Sequence, residues 1–212
     1  MHRVSRTFAD TVSVAEPLTE IEEKYLLDFL GVGKGDLVLD LGTGSGRLAS
    51  KVASLGASVV GLDFTYGALK SARNRLRREG FHPVLCDLDT DIPFENGVFD
   101  AAFCIRVLKY LSFPTELIRE VFRVLRTPGT FVLEISNWYS WEHAYYKLRG
   151  QSPWKFFRRE EACEMLKQAG FRLGKSRGLH KVPSLLYDID PILRQLTPEE
   201  FLSRGIILQG TK

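Results

Sequence analysis

Apolar residues recur with two different periods along this chain, and the switches between them mark its elements. Leu18, Ile21, Tyr25, Leu26 and Phe29 fall at helical spacing between Pro17 and Leu30. Thr19 with Glu22 has the form of a capping box, and Gly31 supplies a stop. The run LVLDL (37–41) then reads as a buried strand. Ser45 is placed to cap a helix with Leu48, Val52 and Leu55 on one stripe; Gly56 ends it, and SVVGLD (58–63) is the second strand. YGALKSARNRLRREG (66–80) turns Leu69, Ala72 and Leu76 inward. A third strand follows near His82 to Cys86 and a fourth at VFDAAFCI (98–105). Thr115 to Arg126 is a helix with Leu117, Val121 and Leu125 inward, and TFVLEIS (130–136) is the fifth strand.

Strands alternating with helices imply an α/β fold, a mostly parallel sheet with helices on both faces. Right-handed crossovers bring the C-terminal ends of the strands to one edge, where ligands bind at the switch in strand order. The loop after the first strand, Asp63, Cys86–Asp87 and Ile105–Arg106 all fall at that edge. After Ser136 the pattern breaks. Residues 137–157, NWYSWEHAYYKLRGQSPWKFF, are dense in aromatics without a clean period, and suit either ordinary core or a lid over an apolar or aromatic substrate. A helix from Arg158 to Gln168 closed by Gly170, a strand near Phe171, a short helix capped by Thr197 with Pro198 and Glu200, and a closing strand GIILQGTK (205–212) complete the chain.

With 212 residues, 44% of them apolar, the expectation is one domain spanning 1–212. Residues 1–35 form an N-terminal helical cap in this reading, and 137–157 and 178–203 are candidate substrate-lid insertions. The net charge of +3 neither demands nor excludes a nucleic acid. The basic run from Lys70 to Arg78 would suit RNA phosphates, but such a run is more often the solvated side of an amphipathic helix, so a small-molecule partner is favoured. Cys86, Cys104 and Cys163 are scattered and suggest neither disulfides nor a zinc site. No metal-ligand cluster is evident. The N-terminus lacks a signal-peptide core, and no apolar run approaches the ~20 residues that cross a bilayer. The expected location is cytoplasmic. Oligomeric state leaves no mark in the sequence.

The glycine loop after the first strand holds the chemistry. Gly44, Gly46 and Ala49 fit the form of a dinucleotide fingerprint, yet Asp40 sits at the tip of the preceding strand, where a pyrophosphate would come. Like charges about 4 Å apart repel by roughly 4 kcal/mol at an intermediate effective dielectric. A cationic ligand would instead be attracted. S-adenosylmethionine fits: it has no phosphate, it carries a sulfonium and an ammonium, and its ribose and adenine still need recognition. Asp63 ends the second strand where a carboxylate can accept both ribose hydroxyls. Asp87 ends the third, placed for the adenine amino group. Phe64 and Leu88 beside them offer apolar surfaces to the purine.

The segments VLDLGTGSGRLA, VVGLD, CDLDTDIPFENGVFDAAFC and REVFRVLRTPGTFVLEIS together resemble the successive motifs of class I S-adenosylmethionine-dependent methyltransferases, over roughly Leu37 to Ser136. The resemblance is to the small-molecule branch that includes ubiquinone- and menaquinone-biosynthesis enzymes. It implies a Rossmann-like seven-stranded sheet, mostly parallel with an antiparallel last strand. It also implies that Asp40, Gly42 and Gly44 surround the methionyl part, that Asp63 holds ribose, and that Asp87 with Leu88 holds adenine. Thr43 and Gly46 in the loop and Ile105 at the end of the fourth strand complete the expected cofactor-binding set.

The chain departs from the family where relatives carry Leu-x-His-Leu: here it reads Leu108-Lys109-Tyr110-Leu111, so no catalytic histidine carries over. Arg106, Tyr110 and His143 remain as catalytic candidates, with His180 a further possible base. The expected function is methyl transfer to a small acceptor, with an apolar or aromatic one suggested by the aromatic segment 137–157. An RNA methyltransferase using helix 70–78 and a non-catalytic cofactor-binding subunit are the alternatives. The three acids generate a direct test. Asp63→Ala should remove most of the affinity for S-adenosylmethionine measured by calorimetry, and near-wild-type binding would refute the ribose assignment.

Overall fold

Each βα unit in the chain buries one stripe of its helix on a sheet too apolar to face water, and that need sets the layering. The computed structural model describes residues 16–76, 80–179 and 203–212. Helix α1 (Glu16–Leu30) leads into β1 (Leu37–Leu41), α2 (Arg47–Ser54), β2 (Ser58–Asp63), α3 (Tyr66–Arg75) and β3 (Phe81–Leu85). Then come β4 (Phe99–Cys104), a 3-10 turn (Leu108–Tyr110), α4 (Pro114–Val124) and β5 (Leu125–Ser136). Helices α5 (Trp141–Leu148) and α6 (Arg159–Ala169) precede β6 (Arg172–Leu179) and β7 (Gly205–Thr211).

The sheet has seven strands in the order β3-β2-β1-β4-β5-β7-β6. Pairings among β1 to β5 are parallel, and β7 runs antiparallel to both neighbours, so the expected fold class and reversed final strand are borne out. The strand order reverses between β1 and β4, which makes their C-terminal ends the switch point.

Two apolar layers sandwich the sheet. Leu26, Phe29 and Leu30 of α1 pack with Val52 of α2, Ala72 of α3 and the strand residues Val38, Val59, Phe103 and Val132. On the opposite face Leu117 and Val121 of α4 and Leu166 of α6 meet Leu39, Leu62, Leu133 and Ile135. The N-terminal helix is thus a load of core on one face, not only a cap.

Several local expectations change. Helix α1 starts at Glu16, which places Thr19 inside it, and the Glu22 carboxylate is engaged by Arg47 and Arg106. The N-cap of α2 is Gly46 in the left-handed region (φ 75°) without a side-chain cap, not Ser45. Leu55 is exposed, because α2 has already ended at Ser54. Helix α4 stops at Val124, and Leu125, expected within it, already opens β5. The aperiodic stretch 137–157 contains α5, capped by the Ser140 hydroxyl, which accepts from the His143 N–H at 3.2 Å. The expected helix at Thr197, His180 and nearly all of the 178–203 insertion lie outside the described residues.

Phe131 of β5 is fully buried against Phe171, with ring centroids 5.5 Å apart. Phe131→Ala should lower stability by about 3–5 kcal/mol in a denaturant titration. A loss below about 1 kcal/mol would contradict this packing.

Candidate active site

Strand alternation decides which side chains reach the switch point on which face. Val38, Val59 and Val132 point to the α1 side. Asp40, Asp63 and Glu134 are two or four residues further along the same strands and therefore share that face. Register pairs Asp40 with Phe103, and Phe103 with Val132, so Glu134 lies two positions beyond Asp40 toward the strand tips. Two strand spacings, about 10 Å, separate β1 from β5. One face of the sheet edge thus carries carboxyl groups on β2, β1 and β5.

On the β1 side, Asp40 and Thr43 are buried, and among the described residues neither Asp40 Oδ2 nor Thr43 Oγ1 has a hydrogen-bond partner within 3.5 Å and in good geometry. Burial pushes the Asp40 carboxyl up to about 7; the nearby Thr43 hydroxyl opposes the rise, the Asp63 charge adds to it, and Arg47 opposes it. Unpartnered buried groups of this kind are costly unless something arrives to satisfy them. Above them, a Cβ on Gly44 would meet nothing within 4 Å, whereas one on Gly42 would collide with Val107 Cγ2. Gly44 opens the loop to a ligand; Gly42 closes it onto the protein.

Asp63 anchors the loop. Its Oδ2 accepts from Gly44 N–H at 2.9 Å and its Oδ1 from Thr65 N–H at 2.8 Å. Each oxygen keeps further lone-pair capacity for a hydroxyl donor. Phe64 next to it is exposed, and Leu88 is buried. Asp87 is exposed at the sheet's outer side, its Oδ1 accepting from Asp89 N–H at 3.0 Å. Asp89 itself is occupied with the Ser112 and Phe113 N–H groups at 2.8 and 3.1 Å, which leaves Asp87 the better placed of the two for a ligand.

Toward β5 the site changes character. Arg106 adopts φ 64°, the left-handed region that a residue with a Cβ rarely enters. Its guanidinium grips Glu22 Oε2 through Nε and Nη2, each at 2.6 Å. The other Glu22 oxygen takes Arg47 at the start of α2. Glu22, almost wholly buried, therefore ties the glycine-loop helix to the segment after β4. Arg106 was a candidate for meeting substrate; here its charge is spent on Glu22.

Glu22, Arg106, Lys109, Glu134, Ser136, Leu179, Arg204 and Gly205 line one cleft. Glu134 is nine-tenths buried, and its Oε2 has no partner among the described residues. Burial raises its pKa, Glu22 adds to the rise, and Arg106, Lys109 and Arg204 pull against it. A Cβ at Gly205 would fall 2.6 Å from Glu134 Oε1, so the glycine is what lets the carboxyl lie there. Burial lowers the Lys109 pKa, with Glu134 and Glu142 opposing, and its ammonium rests 4.5 Å from the Trp154 ring centre. Cys104 lies between the two halves: burial raises its pKa first, and the charges of Asp40 and Glu134 both add.

An aromatic wall borders the cleft. Tyr110 meets Trp154 edge-on at 6.2 Å, Trp154 meets Tyr146 at 5.2 Å, and Phe156 meets His143 at 4.8 Å. His143 Nδ1 lies 2.6 Å from the Trp138 carbonyl, which selects the Nδ1–H tautomer and leaves Nε2 as an acceptor. The buried Trp154 indole N–H has no partner among the described residues. Segment 137–157 is therefore a wall next to the site, partly core and partly exposed.

A family profile described as a methyltransferase domain matches residues 39–133. The resemblance drawn from the motifs is borne out. A demethylmenaquinone methyltransferase of Tropheryma whipplei is 35% identical over 121 residues, covering 56% of this chain and 50% of its own. A sterol methyltransferase-like protein of Botryococcus braunii is 36% identical over 118 residues, covering 53% and 30%. The chain thus spans half or less of the length of these relatives. The solved structure of an S-adenosylmethionine-dependent methyltransferase from Mesorhizobium loti superposes with a TM-score of 0.70 at 17% identity, covering 96% of this chain and 100% of its own.

The candidate site carries residues that the motifs did not announce: Glu22, Lys109, Glu134 and Arg204. Two left a trace. Glu134 is the one charge inside the apolar run TFVLEIS, and Glu22 sits four residues from both Leu18 and Leu26, on the core stripe of α1.

The Asp40 environment yields a stability test. Its folded pKa, about 7, lies above its ordinary value of 3.8, so ionisation opposes folding. That contribution is absent at low pH, grows as pH climbs past the ordinary value, and is complete above about 7. Asp40→Asn should therefore raise Tm relative to wild type at about pH 8 and much less at about pH 5. An equal Tm difference at both would show that Asp40 does not titrate as described.

Proposed function

We propose that this chain transfers the methyl group of S-adenosylmethionine to a small-molecule acceptor of apolar or aromatic character. The observation that carries the reading is the pairing of two unsatisfied sites on one face. Among the described residues Asp40 Oδ2 and Thr43 Oγ1, at the loop in which Gly44 faces open space, have no partner, nor has Glu134 Oε2 in the neighbouring cleft. The first suits the cationic methionyl end, and the second suits an acceptor that brings a proton. When bound, S-adenosylmethionine supplies a methyl carbon made electrophilic by its sulfonium.

In this reading Asp40, Gly42, Thr43, Gly44 and Gly46 form the methionyl cradle. Asp63 accepts ribose hydroxyls, and Asp87, Leu88, Phe64 and Ile105 bound the adenine. The Arg47–Glu22–Arg106 bridge holds the cradle and the acceptor cleft in fixed relation, and such positioning can supply on the order of 7–11 kcal/mol of the barrier. Glu134 accepts the acceptor's proton, and Lys109 and Arg204 keep that carboxyl from becoming fully neutral. Tyr110 and His143 belong to the wall that excludes water, with His143 Nε2 able to accept from a polar acceptor group.

The RNA alternative loses support on α3. Arg75 donates to the Ser45 carbonyl at 3.0 Å, so one cation of the basic run is tied to the glycine loop. Cys86, Cys104 and Cys163 carry free thiols, in keeping with a reducing, cytoplasmic setting. Among the described residues, no helix is long and apolar enough to cross a membrane.

The reading is tested with labelled S-adenosylmethionine and a panel of quinone, sterol and phenol acceptors. Methylation of at least one is expected, and Glu134→Gln should cut its kcat on the order of 10²–10⁴-fold while cofactor affinity stays within a few-fold. Unchanged kcat in the variant would remove Glu134 as the base. A protein that binds no S-adenosylmethionine would remove the whole reading.

A further inference from the structure

Helix α5 is turned the wrong way round for a helix that packs only on its own protein. Glu142, His143 and Tyr146 face the molecule: Glu142 pairs with Arg204 at 3.2 Å, His143 touches Phe156, and Tyr146 touches Trp154. The opposite stripe is Trp141, Tyr145 and Leu148, spaced i, i+4, i+7, with exposures of 44%, 50% and 90%. None of the eight helix residues is buried. An apolar stripe that points to water has lost its usual reason to be apolar.

The charges around it share one sign. Between Trp138 and Arg158 the bases are Lys147, Arg149, Lys155 and Arg158, and the sole acid is Glu142, already paired inward. Arg149 lies 4.7 Å over the Tyr145 ring, and Arg158 lies 5.5 Å over Trp138, so cations flank the exposed aromatics. Aromatic and aliphatic side chains on one helix stripe, bordered by Lys and Arg, are the composition of a helix that lies in a membrane interface beside anionic headgroups. RNA would use the aromatics and the cations equally well. It would have no use for Leu148, the most exposed apolar side chain described, which has no face to stack.

We propose that α5 docks the protein on an anionic lipid bilayer, with Trp141, Tyr145 and Leu148 entering the interface and Lys147 and Arg149 meeting lipid phosphates. The aromatic wall that borders the Glu134 cleft then stands directly behind the docked helix. That places the cleft mouth near the surface from which a lipid-dissolved acceptor would come.

Docking requires neither cofactor nor acceptor, so it is measured without them and stands or falls apart from the methyl-transfer reading. The protein is co-sedimented with vesicles of phosphatidylcholine alone and of phosphatidylcholine mixed with phosphatidylglycerol. Binding is expected to the mixed vesicles, to weaken with salt, and to fall at least about tenfold in Trp141→Ala/Tyr145→Ala/Leu148→Ala and in Lys147→Glu/Arg149→Glu. Circular dichroism melts of both variants should match wild type, since the substituted side chains are exposed. Wild-type protein left in the supernatant with the mixed vesicles would overturn the proposal. So would variants that pellet equally, or salt-sensitive binding to a single-stranded RNA oligonucleotide without vesicle binding.

Discussion

A buried carboxyl group, one of whose oxygens has no hydrogen-bond partner among the described residues, is the constraint around which this site is arranged. Asp40 stands near the end of an otherwise apolar strand, beside the Thr43 hydroxyl, and burial, with the Asp63 charge adding, lifts its pKa to about 7. Evolution toward stability would replace such a group with something neutral. Its presence makes sense if the folded protein meets a positive ligand there, because an arriving cation offsets the desolvation that the empty fold bears. The same logic disfavours a diphosphate at the same loop, even though the loop's glycines fit either ligand.

The rest of the edge extends this arrangement across the sheet. Strand alternation puts Asp63, Asp40 and Glu134 on one face, and the register sets Glu134 two positions nearer the tips than Asp40. Glu22 reaches this face from α1 and holds Arg47 on one side and Arg106 on the other, which explains why Arg106 tolerates a left-handed backbone. The fold's first helix is therefore part of the site. The glycine-loop half is acidic and the Glu134 half mixes acids with three cations, so the two halves differ in charge.

Legibility in the sequence followed burial. Strands β1, β2 and β4 and the helices between them announced themselves because uninterrupted apolar runs and amphipathic stripes record what each element hides. The acids at the strand tips were legible because a charge that ends an apolar run stands out. Helix α5 was not, since it buries none of its residues and so leaves no inward period. Glu22 and Glu134 were missed for a related reason: a single charge inside an apolar stripe looks like an interruption until its partners, far off in sequence, are seen around it. The Gly46 cap escaped because backbone geometry, not a side chain, begins α2.

The most direct test of the central claim is the proton balance of cofactor binding. S-adenosylmethionine is titrated calorimetrically near pH 7 in buffers of different ionisation heat. If the ligand's positive end meets the Asp40 carboxyl, binding must expel a substantial fraction of a proton, and Asp40→Asn must abolish that release. Binding with no net proton release, or with the same release in the variant, would contradict the account.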